Sequence, residues 1–329
     1  MNPKVLPAVL VSLSLLAGGR ALAQSTAKYP ERPVRMIVPF APGGASDFVA
    51  RIIQPKLAQE LNQTIVVDNR AGASGHLGIE VAANATPDGY TILLGNVGST
   101  AINPYVFPKF RPKPLDAFTG VTQVVDVPLC LAVHPSLPVK SVKELIEYAK
   151  ARPGKLNYAA AGAGTNGTLA FEYWKQKTGA KIVMIAYKGG AGGAALGHVQ
   201  GEAQVSLLST PSVFPYVKSG RLRLLAVVAR NRLDSAPGTP TMAESGFPDM
   251  TVGSWQSVYV PKGAPNAVVS RLFTAVTNTM RDPEVERRLA TASAVAIVSK
   301  SPSDYHDFWK KENDRWAKVV NDIGAVSQQ

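Results

Sequence analysis

Short β-branched runs alternate with longer segments of helical periodicity along most of this chain, and that alternation is its strongest constraint. Val34-Arg35-Met36-Ile37-Val38 reads as a strand, and Pro39 to Gly44 reads as a turn. From Ser46 to about Leu61 the apolar residues Phe48, Ile52, Leu57 and Leu61 recur at helical spacing, with Pro55 inside and expected to bend the helix. Ile65-Val66-Val67 is the next strand, Gly78 to Ala83 the next short helix, and Thr91-Ile92-Leu93-Leu94 a third strand. A βαβαβ rhythm of this kind implies a parallel sheet with helices on both faces.

A second unit of the same rhythm is expected after Val121. Leu129 to Val133 is a strand, and Ser141 to Ala151 is a helix that opens on a Ser141/Glu144 capping box and ends at Arg152-Pro153-Gly154. Leu156 to Ala160, Ile182 to Ala186, Gln204 to Leu208 and Leu222 to Val228 are four more strands. The tail turns helical after a strand at Ser257 to Val260. Asn266 to Met280 is amphipathic, and Asp282-Pro283 is an N-cap with proline at the first helical position. Ser301-Pro302 repeats that logic and opens a helix whose Tyr305, Phe308, Trp309 and Trp316 read as core.

The first 23 residues lie outside this pattern. Lys4 precedes an apolar run from Val5 to Ala17, and Ala21-Leu22-Ala23 forms an A-x-A cleavage site. This is the pattern of a secretory signal peptide, shorter than a spanning helix and without a following cysteine for a lipid anchor. Removing it takes away Lys4 and Arg20 and no acid, so the net charge falls from +12 to +10. The bases are scattered, with no denser spots than Arg287-Arg288 and Lys310-Lys311, so nucleic acid is not the expected partner. The field favours anionic ligands. A single cysteine, Cys130, excludes an intrachain disulfide and a cysteine zinc site, and export with one thiol suits the periplasm. His76, His134, His198 and His306 show no metal-binding spacing, and no cofactor is expected.

Three glycine-rich turns lie between a strand and a helix: Pro42-Gly43-Gly44-Ala45-Ser46-Asp47, Gly162-Ala163-Gly164-Thr165-Asn166-Gly167-Thr168 and Tyr187-Lys188-Gly189-Gly190-Ala191-Gly192-Gly193. A helix N-terminus offers free N–H groups and about half a positive charge, and glycine lets a ligand approach that backbone. Such turns accept carboxylate or phosphate. Glycines also simply make tight turns; two such turns in one unit and one in the other favour a ligand held between units. Gly162, Gly164 and Gly167 match G-x-G-x-x-G, but the next strand carries no acid and runs into Lys188, so a dinucleotide reading fails. No G-x-S-x-G elbow or phosphate loop occurs. Ser46 and Asp47 have bland readings as helix cap and first-turn acid, and Cys130 reads as a buried thiol.

The stretch Tyr29-Pro30-x-Arg32-Pro33-Val34-Arg35, with Val38-Pro39-Phe40-Ala41-Pro42-Gly43-Gly44-x-x-Asp47, resembles the opening of the Bug-type receptors. These are the extracytoplasmic substrate-binding proteins of tripartite tricarboxylate transporters. Asp68-Asn69-Arg70-Ala71-Gly72-Ala73, Pro87-Asp88-Gly89-Tyr90-Thr91, Ala101-Ile102-Asn103-Pro104 and His134-Pro135-Ser136-Leu137-Pro138 follow in order. So do Glu144-Leu145-Ile146 through Pro153-Gly154-Lys155-Leu156-Asn157-Tyr158, Tyr187-Lys188-Gly189-Gly190, Lys218-Ser219-Gly220-Arg221-Leu222-Arg223 and Pro240-Thr241-Met242-Ala243-Glu244. Each motif is weak alone; together, in order over residues 28–329, they are specific.

The resemblance implies an α/β, two-lobed periplasmic-binding-protein fold of the type II kind, each lobe a mainly parallel sheet flanked by helices, with a hinge between. Residues 1–23 would be the signal peptide, 24–126 and 253–329 lobe 1, and 127–252 lobe 2. It implies a ligand set of Phe40, Ala41, Pro42, Gly43, Gly44, Ser46, Asp47, Gly98 and Ser99 from the first lobe. The second lobe would give Gly164, Thr165, Asn166, Gly167, Thr168, Tyr187, Lys188, Gly189, Gly190 and Ser209. The implied protein is not an enzyme. It captures a small carboxylate, closes and presents the ligand to membrane permease subunits; the alternatives are a sensor feeding a kinase and an enzyme acting on a small carboxylate. Two departures stand out: Thr168 where members often carry His, and Ser209 where many carry Asp. Citrate-like, C4-dicarboxylate, aromatic carboxylate and nicotinate-like ligands stay open.

Overall fold

The computed structural model describes residues 29–229, 231–250, 253–322 and 324. The expected signal peptide and its cleavage site lie outside the described residues. The chain folds as two sheets. The first is built from β1 (Val34–Val38), β2 (Ile65–Asn69), β3 (Thr91–Asn96), β4 (Phe118–Val127), β10 (Ser254–Pro261) and β11 (Val295–Ala296). The second holds β5 (Leu129–Val133), β6 (Leu156–Ala160), β7 (Ile182–Ala186), β8 (Val205–Ser209) and β9 (Arg223–Val228). The strand Phe118–Val127 belongs to the first sheet, so the second unit starts later than the expected point after Val121. Its Thr119, Thr122 and Gln123 interrupt the apolar pattern, and its pairing with β10 is irregular at two places.

Both sheets have the same order. In the first, β2-β1-β3-β10-β4 places one reversed strand, β10, between the third and fourth, with β11 added at the edge. In the second, β7-β6-β8-β5-β9 places the reversed β5 in the same slot. The reversed strands β5 and β10 each follow a crossing between sheets. The chain leaves the first sheet at Val127 and enters the second at Leu129 with only Pro128 between, and it re-enters the first at Ser254.

Helices cover both faces of each sheet, as β-strands with apolar residues on alternate sides require. Over one face of the first lie α1 (Ala45–Leu61), α9 (Asn266–Met280) and α10 (Pro283–Ala290), packed on Met36, Val38, Leu94 and Val258. Over the other lie α2 (His76–Ala83) and α11 (Pro302–Asp322), with short α3 (Asn103–Val106) and α4 (Pro114–Ala117) nearby, around Ile37, Leu93 and Tyr259. The second sheet is covered by α5 (Val142–Ala151) and α6 (Asn166–Thr178) on one side and by α7 (Gly190–Val199) and α8 (Thr210–Lys218) on the other. α1 runs unbroken through Pro55. At α5 the Ser141 hydroxyl accepts from Glu144 N, while the Glu144 carboxylate reaches one residue further, to Lys140 N. Tyr305, Trp309 and Trp316 are buried as core.

Candidate functional site

In each sheet the parallel strands end at the same edge, and the reversed strands begin there. The two edges face each other across a cavity of about 50 Å³. From the first lobe it is lined by Phe40, Ala41, Gly44, Ala45 and Ser46 of the β1–α1 turn, by Asn96 at the end of β3 and by Ser254 at the start of β10. From the second come Ala161 after β6, Thr165, Asn166 and Gly167 at the start of α6, and Ala191 in the first turn of α7. Leu129, Leu207, Leu208 and Ser209, at the facing ends of β5 and β8, complete the wall.

None of these side chains carries a charge. What the wall offers is the N-termini of α1, α6, α7 and α8, whose capping positions are Gly44, Thr165, Gly189 and Ser209. Four sets of orphan amides and four positive dipole ends meet one space, which suits an anion that needs no counter-cation. The Ser46 hydroxyl is buried and has no hydrogen-bond partner among the described residues. A donor held dry and unused beside such a cavity is poised for a ligand oxygen.

Several expected residues are occupied with building the turns. Asp47 accepts from Gly43 N at 3.1 Å and from Arg51 Nε at 3.2 Å. With Pro42 and Gly43 it lines a separate groove of about 890 Å³. The Thr165 hydroxyl donates to the Gly162 carbonyl, so the Thr168 hydroxyl, 2.9 Å away, donates to Thr165; the α6 cap holds Thr168 within its own turn. The Ser99 N–H donates to Asn96 Oδ1 at 2.9 Å, and Gly98 lies against the Gly164 carbonyl of the other lobe. Neither Gly98 nor Ser99 reaches the cavity wall. The Ser209 hydroxyl pairs with that of Ser212 at 3.0 Å.

Two glycines show why no side chain fits. A Cβ on Gly167 would sit 2.5 Å from the Leu207 carbonyl, because α6 packs directly on β8. A Cβ on Gly164 would fall 1.8 Å from Oδ1 of Asn103, which belongs to the opposite lobe. Leu169 of α6 likewise packs into the first lobe's cluster with Ile102 and Trp255.

The third turn opens beside the cavity. Tyr187, Lys188 and Gly190 line a groove of about 740 Å³ that shares Phe40, Ala41 and Ala161 with it. The Tyr187 hydroxyl donates to Glu202 at 2.8 Å; burial, reinforced by that carboxylate, pushes the phenol up to about 12. Among the described residues no three of His, Cys, Asp and Glu converge to hold a metal ion, and burial pushes the Cys130 thiol well up. No described helix is long and apolar enough to cross a membrane.

Outside the expected turns and ligand set, sequence reading missed Asn96, Leu129, Ala161, Leu207, Leu208 and Ser254. Asn96 and Ala161 could have been found from the rule that open parallel sheets bind ligands at their strands' carboxyl ends. It also missed Gln256, which pairs in register with Asn96, is fully buried and has neither amide atom bonded among the described residues. Nothing local in the sequence places a returning strand there.

This fold and cavity define a two-lobed binding protein of the periplasmic type. The chain belongs to the TctC family, the tripartite tricarboxylate transporter family receptors, whose profile matches residues 49–325. It is 35% identical over 326 residues to Protein BugT of Bordetella pertussis, covering 99% of both chains. The solved structure of the periplasmic binding protein BugD is 32% identical, with a TM-score of 0.87 over 91% of this chain and 100% of that one. The structure of R. palustris Rpa4515 with adipate is 34% identical, with a TM-score of 0.86 over 90% of this chain and 98% of that one.

Proposed function

We propose that this receptor works in the periplasm after cleavage behind Ala23, captures a small carboxylate between its lobes and hands it to the permease subunits of a tripartite tricarboxylate-type transporter, without chemical change to the ligand. Lobe 1 is residues 24–126 and 253–329, and lobe 2 is 127–252. The observation that carries this reading is the uncharged cavity onto which four helix N-termini from both lobes and the partnerless Ser46 hydroxyl converge. The adipate in a similar receptor agrees with it. Among the expected residues, Phe40, Ala41, Gly44, Ser46, Thr165, Asn166, Gly167 and Ser209 form the ligand wall. Gly164 and Thr168 shape it, and Tyr187, Lys188 and Gly190 stand at its margin.

Closure follows from differential affinity: the ligand touches both lobes only when they are together, so binding shifts the population towards the closed form. A thermal-shift screen of mono-, di- and tricarboxylates against the mature chain tests the reading. A true ligand at ~100 times its dissociation constant stabilises by about 2.7 kcal/mol. A full panel without a shift, or turnover of one of the acids, contradicts it.

A further inference from the structure

Four successive residues of the first lobe, Gly72, Ala73, Ser74 and Gly75, have positive φ, at 150°, 44°, 56° and 95°. Glycine adopts such angles freely, but Ala73 and Ser74 do so at a cost that the surroundings must offset. The run closes on itself through the Gly75 N–H, which donates to the Gly72 carbonyl at 2.9 Å. It is tied to the rest of the lobe by Asn103, the first residue of α3, whose Nδ2 donates to the Ser74 carbonyl at 2.6 Å.

Asn103 is fully buried, and its Oδ1 has no hydrogen-bond partner among the described residues. The Ser74 bond fixes which way the carboxamide faces, because a turned amide would set Oδ1 against the Ser74 carbonyl. Oδ1 is therefore held against the second lobe, 1.8 Å from where a Cβ on Gly164 would stand. The left-handed run meets the same turn: Ser74 Oγ lies 2.8 Å from the place of a Cβ on Gly162. Phe107 Cε2 lies 2.9 Å from the Gly164 position. The glycine turn before α6 thus sits in a socket made by Ser74, Asn103 and Phe107.

That turn carries part of the ligand wall. Thr165, Asn166 and Gly167 follow Gly164 directly and line the cavity. The Thr165 hydroxyl and N–H both donate to the Gly162 carbonyl, so a shift of the turn moves these amides as one piece. Asn103 itself is not among the residues lining the cavity.

Resting on the receptor reading above, we propose that Asn103 is a positioning residue for ligand capture. Its amide donor holds the left-handed run of the first lobe, and its acceptor seats the α6 turn of the second. One planar group so sets how the amides of the two lobes face each other across the cavity. A side chain with only donors or only acceptors, such as lysine or ionised aspartate, cannot serve both sides.

Hydrogen–deuterium exchange of the mature chain without ligand tests the coupling separately from the receptor reading. Asn103→Ala is expected to speed exchange at least fivefold in peptides covering residues 162–168 of the opposite lobe, with α5 of that lobe within twofold of wild type. Gly164→Ala, which keeps the side chain of Asn103, is expected to do the same to residues 72–76, and carries this arm if Asn103→Ala does not fold. Unchanged exchange across the gap, or equal acceleration in α5, overturns the proposal.

Calorimetric titration with the acid that gives the largest thermal shift is the second arm. Asn103→Ala and Gly164→Ala are each expected to bind it at least tenfold more weakly than wild type. The double variant is expected to bind within threefold of Asn103→Ala alone, because removing the carboxamide vacates the space the new methyl needs and the half-buried Phe107 ring can turn aside. Penalties that multiply, or single variants that bind as wild type does, overturn the proposal and leave the receptor reading intact. A panel in which no acid binds wild type counts against the receptor reading, and the exchange arm then decides the coupling by itself.

Discussion

Ser46 and His198 show how differently two buried polar groups act. The Ser46 hydroxyl lies in the cavity wall with no protein partner among the described residues. Removing an unsatisfied hydroxyl costs the ligand-free fold little, whereas a hydrogen bond to a charged ligand contributes about 1.5–3 kcal/mol. Ser46→Ala should therefore weaken carboxylate binding by roughly ten- to hundredfold. Its unfolding midpoint without ligand should equal or exceed that of wild type. A calorimetric titration and a melting curve check both halves. His198 lies away from the cavity, fully buried in α7, and burial pushes its imidazole down to about 4, with nearby His134 acting in the same direction. In the unfolded chain the imidazole protonates near pH ~6.5. As pH falls from there to about 4 the unfolded state takes up a proton that the folded state refuses, so stability declines across that window and levels off below it. The loss is on the order of 3 kcal/mol. Denaturant unfolding at pH 7 and pH 4.5 should show a smaller difference for His198→Gln than for wild type; equal differences would mean that the folded state charges this histidine readily.

At the scale of elements, the cavity wall depends on a helix far from it in sequence. The stretch after β3 is wound as a π-helical turn, Gly98–Ile102, a form that recurs near functional sites. It is held from behind by α11: Trp309 Nε1 donates to the Thr100 carbonyl at 3.1 Å, and the Tyr305 hydroxyl bonds that of Tyr259. Thr100 in turn donates to the Asn96 carbonyl at 2.8 Å, and Asn96 lines the cavity. Trp309→Ala should cost about 3–5 kcal/mol of stability, read by chemical denaturation. A cost under 1 kcal/mol would show that α11 is dispensable. Much of this layer was legible in the sequence. Helices with a clear local signal, such as Asp282-Pro283 before α10 and the amphipathic run Asn266–Met280, were found to within a residue or two. The π-helical turn, short α3 and α4, β4 and the two-residue β11 were not. Their conformations are set by tertiary partners such as α11 and β10 and leave little periodicity in the local sequence.

At the scale of the whole molecule, repetition of one strand order in two sheets brings matching carboxyl edges face to face, with the chain crossing between the sheets at Pro128 and again before Ser254. The alternation of strands and helices revealed both units and all three glycine turns. It could not show that the first two turns share a cavity which the third touches through Ala191 while opening mainly into the adjoining groove, because that depends on how one lobe is set against the other. Gly164 illustrates the limit. Its sequence context suggested a backbone donor, yet its position is set by the Asn103 side chain across the gap. Gly164→Val should keep the fold but hold the lobes apart. Small-angle scattering with ligand should then show no contraction, and affinity should fall at least tenfold. Contraction as in wild type would remove Gly164 from the closure contact.

The central claim is that main-chain amides from both lobes grip one anion. Hydrogen–deuterium exchange of the mature chain, with and without the acid that gives the largest thermal shift, measures those amides directly. Slowed exchange is predicted together in the peptides covering residues 43–48, 164–169 and 189–193. Protection confined to one lobe, or absent from all three segments in a saturated complex, would contradict the claim.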